Sequence, residues 1–161
     1  MDSDLLSPFE IDELEPYDYV FVNRDGIRYR TFFSPLSEYY PQFVDTYSFS
    51  IEPEDRSPHP VDMRIAATIV EILKLFFRKN ENAMIMVCDN LDGKEEKRRK
   101  LFDRWFIKYS DGTIDKYDAA SHSGDYNLFA SIYMRDTNPN KGQLVNAFYD
   151  LMKSDIYDIV I

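Results

Sequence analysis

The 161-residue sequence contains little cysteine, glycine or histidine and no long apolar run. Its one cysteine, Cys88, has no partner for an internal disulfide, which is typical of a reducing, cytoplasmic compartment. Five glycines argue against a flexible low-complexity chain, and no phosphate-binding glycine loop is present. No apolar stretch approaches the ~20 residues of a membrane-spanning helix, and the start is acidic where a secretory signal would be basic. We therefore expect a cytoplasmic protein without a membrane segment.

The two histidines, His59 and His122, stand in separate loops without another ligand at metal-binding spacing. The segment "DNLDGKEE" resembles a calcium loop, but it lacks the spaced oxygens and the closing glutamate of such loops. Nucleophilic catalysis would need Cys88 held against a base, and a lone cysteine that ends an apolar strand is more often a core residue. We expect no metal and no cofactor, and an enzyme is the less favoured class.

The net charge of −10 is unevenly distributed along the sequence. Residues 1–60 carry 13 acids and 4 bases, which gives −9, whereas residues 61–110 carry 8 acids and 11 bases, which gives +3. Neutralisation of phosphates supplies most non-specific affinity for nucleic acids, so an acidic chain of this kind is not expected to bind them. The six acids of residues 1–16, with no base among them, indicate a strap that is loosely ordered or packed on the domain.

Alternation of apolar and polar residues predicts strands in the N-terminal half. The segment 17–33 reads as a β-hairpin whose tight turn contains Asp25 and Gly26. "TYSFSIE" at 46–52 predicts a third strand. Apolar residues at helical spacing then predict a helix over about 61–79, packed across these strands, and the apolar run at 83–88 predicts a strand covered on both faces.

The C-terminal half predicts further helices and strands. A helix is expected over 91–108, followed by a loop with a short strand at 113–117. "YNLFASIYMR" at 126–135 predicts a strand, and 138–155 predicts a helix with Leu144, Phe148 and Leu151 inward. The tail 156–161 is consistent with a last edge strand. The sequence therefore predicts one α+β domain with a mixed, mostly antiparallel sheet and three main helices, over residues 17–161 behind the strap.

The end of the strand at 83–88 is the first candidate site. Ligands of sheets with a parallel component bind beyond the carboxyl ends of strands, where Asp89 and Asn90 follow Cys88. Asp92 with Glu95 also fits a helix cap that needs no ligand. The basic residues that follow have two alternative explanations. They form a solvated helix face with Glu–Lys pairs, or they form a site for an anion or an acidic partner. These bases include Lys94, Lys97, Arg98 and Arg99.

Several segments resemble known families. The run "RIAATIVEILKLFF", then "MVCD", "DGKEEKRRKLFDRWF" and "DTNPN" resembles an uncharacterised family of small Bacteroidetes proteins, over most of the chain after residue 17. This resemblance implies an origin and no activity.

The element order also resembles that of the GCN5-related N-acetyltransferases. In that family a helix follows the fourth strand and the next helix begins after an Asn, a place that Asn90 would occupy. The resemblance implies acetyl-CoA as a ligand and a loop whose backbone N–H groups hold the pyrophosphate. "RSPHPVD" stands at that loop, and its prolines have no N–H to donate. The corresponding residues are Arg56, Ser57, His59 and Val61.

We expect a non-catalytic protein-interaction or regulatory module that binds a protein partner or a second copy of itself. The acidic strap and the basic residues after Asp89 are the expected contact surfaces. A divergent acyltransferase-like protein with a degraded coenzyme A loop is one alternative. An acidic mimic of nucleic acid is another, and it would carry carboxylates at phosphate-like spacing on one face.

Overall fold

The computed structural model describes residues 7–54, 63–89, 104, 112–123 and 126–153. These residues form a seven-stranded sheet and two helices, so the fold class is α+β, as predicted. The strand order is β1-β2-β3-β4-β5-β7-β6. The strands are β1 (Asp12–Glu15), β2 (Asp18–Val22), β3 (Arg28–Pro35), β4 (Thr46–Pro53), β5 (Ala83–Asp89), β6 (Ile114–Ser123) and β7 (Tyr126–Arg135), and the helices are α1 (Met63–Phe76) and α2 (Lys141–Lys153).

The sheet is mixed because β4 and β5 pair in parallel, whereas β1 with β2, β2 with β3, β5 with β7 and β6 with β7 pair antiparallel. The predicted hairpin is confirmed as β2 and β3. Its turn depends on Asn23, whose side-chain oxygen accepts the N–H groups of Asp25 at 3.0 Å and Ile27 at 2.8 Å. Gly26 has a φ of 78°, a conformation that costs glycine little and other residues more.

The chain divides into two compact units, of which the first comprises Met1–Ser34 and Phe49–Arg78. Its core is aromatic: Phe33 stacks on Phe76 at 4.1 Å between ring centroids and lies 4.9 Å from Phe49. Helix α1 confirms the predicted helix, although its described extent is shorter than 61–79. Its buried positions recur at helical spacing and meet the strands through Phe76.

The turn between β1 and β2 contains one residue in a strained backbone conformation. Pro16 and Tyr17 connect β1 to β2, and Tyr17 has a φ of 68°, where a glycine is usual. The Tyr17 ring nevertheless packs edge-on against Phe33 at 6.1 Å and Phe76 at 5.6 Å. Its carbonyl accepts the Phe33 N–H at 2.9 Å. One residue therefore serves both the turn and the core.

The second unit comprises Pro35–Ser48 and Lys79–Ile161. Its core includes Leu144, Phe148 and Leu151 of α2, which are buried as predicted, together with apolar residues of β5 and β7. The predictions of a strand at 126–135 and of a helix within 138–155 are confirmed.

The prediction for β6 was too short. The strand was expected at 113–117, but it pairs with β7 residue for residue from Ile114 opposite Arg135 to Ser123 opposite Tyr126. Ala119, Ala120 and Ser121 have weak intrinsic strand preference, so no sequence pattern indicates a strand there and pairing with β7 determines the structure. The strap also contains a strand, β1, that the sequence pattern did not indicate.

Two predicted elements lie outside the described residues. They are the helix at 91–108, of which only Arg104 is described and is helical, and the edge strand at 156–161, and both stay predictions. The single domain over 17–161 also stays a prediction.

Candidate functional site

The predicted site residues fall mostly outside the described part of the chain. Asp89 is the last residue of β5, and its backbone lies opposite Leu128 of β7. The other predicted binding residues stay predictions, as does the alternative coenzyme A loop. These residues are Asn90, Lys94, Lys97, Arg98 and Arg99 in the first group, and Arg56, Ser57, His59 and Val61 in the second.

The strands that precede the two groups in the sequence, β4 and β5, pair in parallel. This pairing covers three positions, from Thr46 opposite Ala83 to Ser48 opposite Ile85. The two predicted groups follow these strands in the sequence, where Arg56 comes after Pro53 of β4 and Asn90 comes directly after Asp89 of β5.

The first unit presents an acidic surface that we call the acidic edge, formed by residues 12–15. β1 is the terminal strand of the described sheet, and all four of its residues are exposed. Three of them are acids, Asp12, Glu13 and Glu15. Glu13 lies opposite Tyr19 and Glu15 opposite Asp18, so Leu14 is an extra residue that forms a β-bulge. Leu14 is accordingly 54% exposed.

The segment that leads into the acidic edge is anchored on α1. The Phe9 N–H donates to the Thr68 hydroxyl at 2.8 Å, and that hydroxyl donates to the Arg64 carbonyl at 2.6 Å. Arg64 donates from Nε to the Ser7 carbonyl at 3.0 Å, and its guanidinium lies 4.0 Å from the centre of the Phe9 ring. The buried Phe9 ring also stacks on Phe21 at 6.3 Å. The acidic edge thus follows a fixed segment.

Strands β2 and β3, next to the acidic edge, contain an ion pair and two residues with a raised pKa. Arg30 forms a two-pronged ion pair with Asp18, with distances of 3.1 Å and 2.9 Å, and this hydrogen bonding raises the pKa of Arg30. The pKa of Tyr19 is raised, first by burial and then by the negative charge of Glu13. Glu13 therefore imposes a negative potential on its neighbour across the strands.

The second unit has two ion pairs along β6. Lys116 lies 3.2 Å from Asp118, which also accepts a hydrogen bond from the Ser131 hydroxyl. Lys141, the first residue of α2, pairs with Asp115. Hydrogen bonding to Asp115, and then to Tyr117, raises the pKa of Lys141.

The "DTNPN" segment forms a hydrogen-bonded connection between the β7–α2 loop and the α1–β5 loop. The buried Asn138 amide donates to the carbonyls of Glu81 at 3.1 Å and Asn82 at 3.5 Å. Its side-chain oxygen accepts the Asn140 N–H at 2.8 Å, next to the start of α2. These hydrogen bonds give the polar residues of the segment a structural role.

Sequence reasoning missed the anchor of the acidic edge. Phe9 was read as part of a loosely ordered or packed strap, and Arg64 was not singled out. A weak signal existed in Thr68, a polar residue within the apolar stripe of α1, because a buried hydroxyl needs a hydrogen-bond partner. The remote partner itself could not be predicted from the sequence.

These observations define an α+β protein with a mixed seven-stranded sheet. Residues 61–150 match the model described as "Family of unknown function (DUF6169)", and the chain belongs to this family. This match confirms the expected membership of an uncharacterised family. A search of the curated proteins gave no match.

No described helix combines the length and hydropathy needed to cross a membrane. No group of three or more His, Cys, Asp or Glu side chains in the described ranges is placed to hold a metal ion.

Proposed function

We propose that this protein is a non-catalytic interaction module that binds a basic segment of a protein partner at the acidic edge. The observation that supports the proposal is the placement of Asp12, Glu13 and Glu15, all exposed, on a terminal strand whose preceding segment is anchored by Phe9. A fixed row of like charges needs less ordering on binding than a mobile one.

Recognition at the acidic edge depends on side chains more than on backbone pairing. The bulge at Leu14 interrupts the regular spacing of backbone groups that an added strand would require. The carboxylates instead attract lysine and arginine side chains, and Leu14 offers an apolar contact among them. Complementary charge of this kind increases association rates and selects partners by sign.

Selection from a displayed library of eight-residue peptides tests this proposal with defined probes. We expect enrichment of peptides with several Lys or Arg residues, with affinity that falls as salt rises. The triple variant D12K/E13K/E15K should lose these peptides and select acidic ones. The matched control E38K/D136K/D150K reverses three exposed acids of the second unit and should keep the original selection.

Equal loss of binding in both triple variants would contradict the proposal, because net charge alone would then explain the selection. Failure of wild-type protein to enrich basic peptides would contradict it as well. Circular dichroism of each variant establishes that the fold is retained.

The second candidate function is that of a divergent acyltransferase-like protein that binds acetyl-CoA. It is supported by the strand order, with a parallel β4–β5 pair at the centre and α1 between these two strands in sequence. The resemblance to GCN5-related N-acetyltransferases rested on element order, of which the described part contributes four strands, then α1, then β5. Fold-level analogy is a weaker argument than a site, so this candidate ranks second.

Thermal unfolding with acetyl-CoA distinguishes the two candidates. A ligand present at ~100 times its dissociation constant stabilises the native state by about 2.7 kcal/mol, which raises the melting temperature by a few degrees. Acetylated pantetheine, which lacks the nucleotide and pyrophosphate, is the matched control. A shift with acetyl-CoA alone would favour the acyltransferase-like protein, and no shift at millimolar acetyl-CoA would remove it.

A further inference from the structure

Strand β6 is the other terminal strand of the described sheet, and it is long and regular. Its ten residues pair with β7 one for one, without a bulge. Terminal strands of soluble proteins are normally short, bulged or covered, because an open regular edge pairs with other chains. β1 meets this requirement, since it has only four residues and a bulge. We therefore expect another segment to cover β6.

The backbone groups that a covering strand would bind follow from the pairing of β6 with β7. The Thr113 carbonyl accepts the Asp136 N–H at 2.8 Å in continuation of this antiparallel ladder. Because hydrogen-bonded and non-hydrogen-bonded pairs alternate, the N–H and C=O groups of Asp118 and Ala120 point away from β7. The Tyr149 hydroxyl, which donates to the Asp118 carbonyl at 3.4 Å, agrees with this direction.

Helix α2 runs along β6 in the direction of that strand. Lys141, at the start of the helix, pairs with Asp115. Tyr149 lies about 12 Å further along the helix and contacts Asp118. The helix ends at Lys153, one turn beyond Tyr149, and this turn is as long as about two strand residues. The chain therefore leaves α2 beside the C-terminal half of β6.

We propose that the tail, residues 156–161 of the same chain, docks on β6 as an additional antiparallel strand. Its sequence is Ile-Tyr-Asp-Ile-Val-Ile, in which five of six residues are of the β-branched or aromatic types that favour strands. The docked tail is parallel to β7, so β7, α2 and the tail form the strand–helix–strand crossover that joins parallel strands. The proposal concerns the second unit and does not depend on the acidic edge.

The two faces of β6 determine which tail residues point toward the core. Tyr117 and Ala119 pack against the core cluster that contains α2, whereas Asp118 and Ala120 are exposed. Opposite residues of antiparallel strands project their side chains from the same face. The one charged residue of the tail, Asp158, therefore lies opposite an exposed position, which places its apolar neighbours on the face of α2.

Charge selects between the two exposed positions. Asp158 opposite Asp118 would bring two carboxylates together, which is repulsive. Asp158 opposite Ala120 avoids this repulsion and agrees with the level at which the chain leaves α2. In this register the Val160 N–H donates to the Asp118 carbonyl, which has a second lone pair for the Tyr149 hydroxyl.

Disulfide trapping tests both the place and the register of the tail. In a Cys88→Ala background, Ala120→Cys with Asp158→Cys puts two thiols at opposite positions, where Cα atoms of a hydrogen-bonded pair are ~5.5 Å apart and within disulfide range. We expect an internal disulfide in high yield and a monomeric product. The matched control, Asp118→Cys with Asp158→Cys, is offset by two residues. Its Cα atoms are about 9 Å apart, which should prevent the bridge.

Amide hydrogen exchange tests docking without added cysteines. The amides of Asp118 and Ala120 point outward, so a docked tail protects them from exchange. Asp158→Pro removes the N–H that is donated to the Ala120 carbonyl, and it should accelerate exchange of both amides at least about tenfold. The matched control Asp158→Ala keeps this N–H and should preserve the protection. Protection of the α2 amides establishes that each variant is folded.

Four results would overturn the proposal. One is equal trapping, or none, in the two cysteine pairs. Another is a disulfide-linked dimer as the main product of the 120/158 pair, which would assign this edge to the tail of a second copy. The third is rapid exchange of both outward amides in the wild-type protein. The fourth is protection that Asp158→Pro leaves unchanged, because another segment would then cover β6.

Discussion

At the scale of single residues, two threonines of the first unit make opposite contributions to stability. Thr31 is fully buried in β3 between the buried Tyr29 and Phe33, and no described residue bonds its hydroxyl. The Thr68 hydroxyl is also fully buried but holds both Phe9 and Arg64. A buried hydroxyl stabilises a protein only when it is hydrogen-bonded, since burial removes its bonds to water.

We therefore expect Thr31→Val to raise the free energy of unfolding by about 1 kcal/mol, because the methyl group replaces an unpaired hydroxyl of similar size. Thr68→Val should lower it by ~1–3 kcal/mol, because the buried Phe9 N–H loses its acceptor. Urea unfolding of both variants measures the difference. Destabilisation by Thr31→Val would show that its hydroxyl has a partner, such as a buried water molecule.

At the scale of elements, the acidic edge depends on the anchor that precedes it. Phe9→Ala removes a buried ring and should lower the free energy of unfolding by ~3 kcal/mol. Relative to the wild-type protein, amide hydrogen exchange in the variant should then accelerate more in Asp12–Glu15 than in α2, because β1 loses its anchor. Tyr39→Ala, at a ring that is 77% exposed, is the control and should change stability by less than about 0.5 kcal/mol. Unchanged exchange in β1 would contradict the role of Phe9.

The loop connection around Asn138 gives a second prediction at this scale. Asn138→Ala removes the donor to two carbonyls and the acceptor of the Asn140 N–H, and we expect a loss of ~2–3 kcal/mol. Asn146→Ala, at an exposed position of α2, should be neutral or slightly stabilising because alanine favours helices. Equal effects of the two changes in thermal unfolding would contradict the assignment.

The elements differ in how well the sequence predicted them. The β2–β3 hairpin was predictable because Tyr29, Thr31 and Phe33 alternate with polar residues and the turn has Asp25-Gly26. The strand at 12–15 could not be predicted, because three acids in four residues do not show the apolar–polar alternation of a strand. Its pairing with β2 determines the strand. The candidate site was the least predictable part, since the contact of Phe9 with Thr68 joins residues 59 positions apart.

At the scale of the whole molecule, the net charge of −10 opposes compaction through self-repulsion. The Debye length is ~30 Å at 0.01 M salt and about 10 Å at 0.1 M, so moderate salt screens repulsion between distant carboxylates. We expect the melting temperature to rise by a few degrees as NaCl increases from 10 to about 200 mM.

The two triple charge variants separate a global effect from a local one. Each reversal adds two charges and three add six, so D12K/E13K/E15K and E38K/D136K/D150K both have a net charge of −4. If repulsion acts over the whole molecule, the rise in melting temperature with salt should be smaller than in the wild-type protein and equal in the two variants. A reduced response in the acidic-edge variant alone would locate the repulsion in β1 and contradict this explanation.

The conformation of Tyr17 has a consequence for the order of assembly. A non-glycine residue at positive φ costs ~1–2 kcal/mol, while each aromatic pair returns about 0.5–1.5 kcal/mol. The turn is therefore unfavourable until Phe33 and Phe76 are in place to receive the ring. The strap precedes α1 in the sequence, yet we expect its turn to form only after α1 has packed on β3, so the docking of β1 should be a late step in the assembly of its unit.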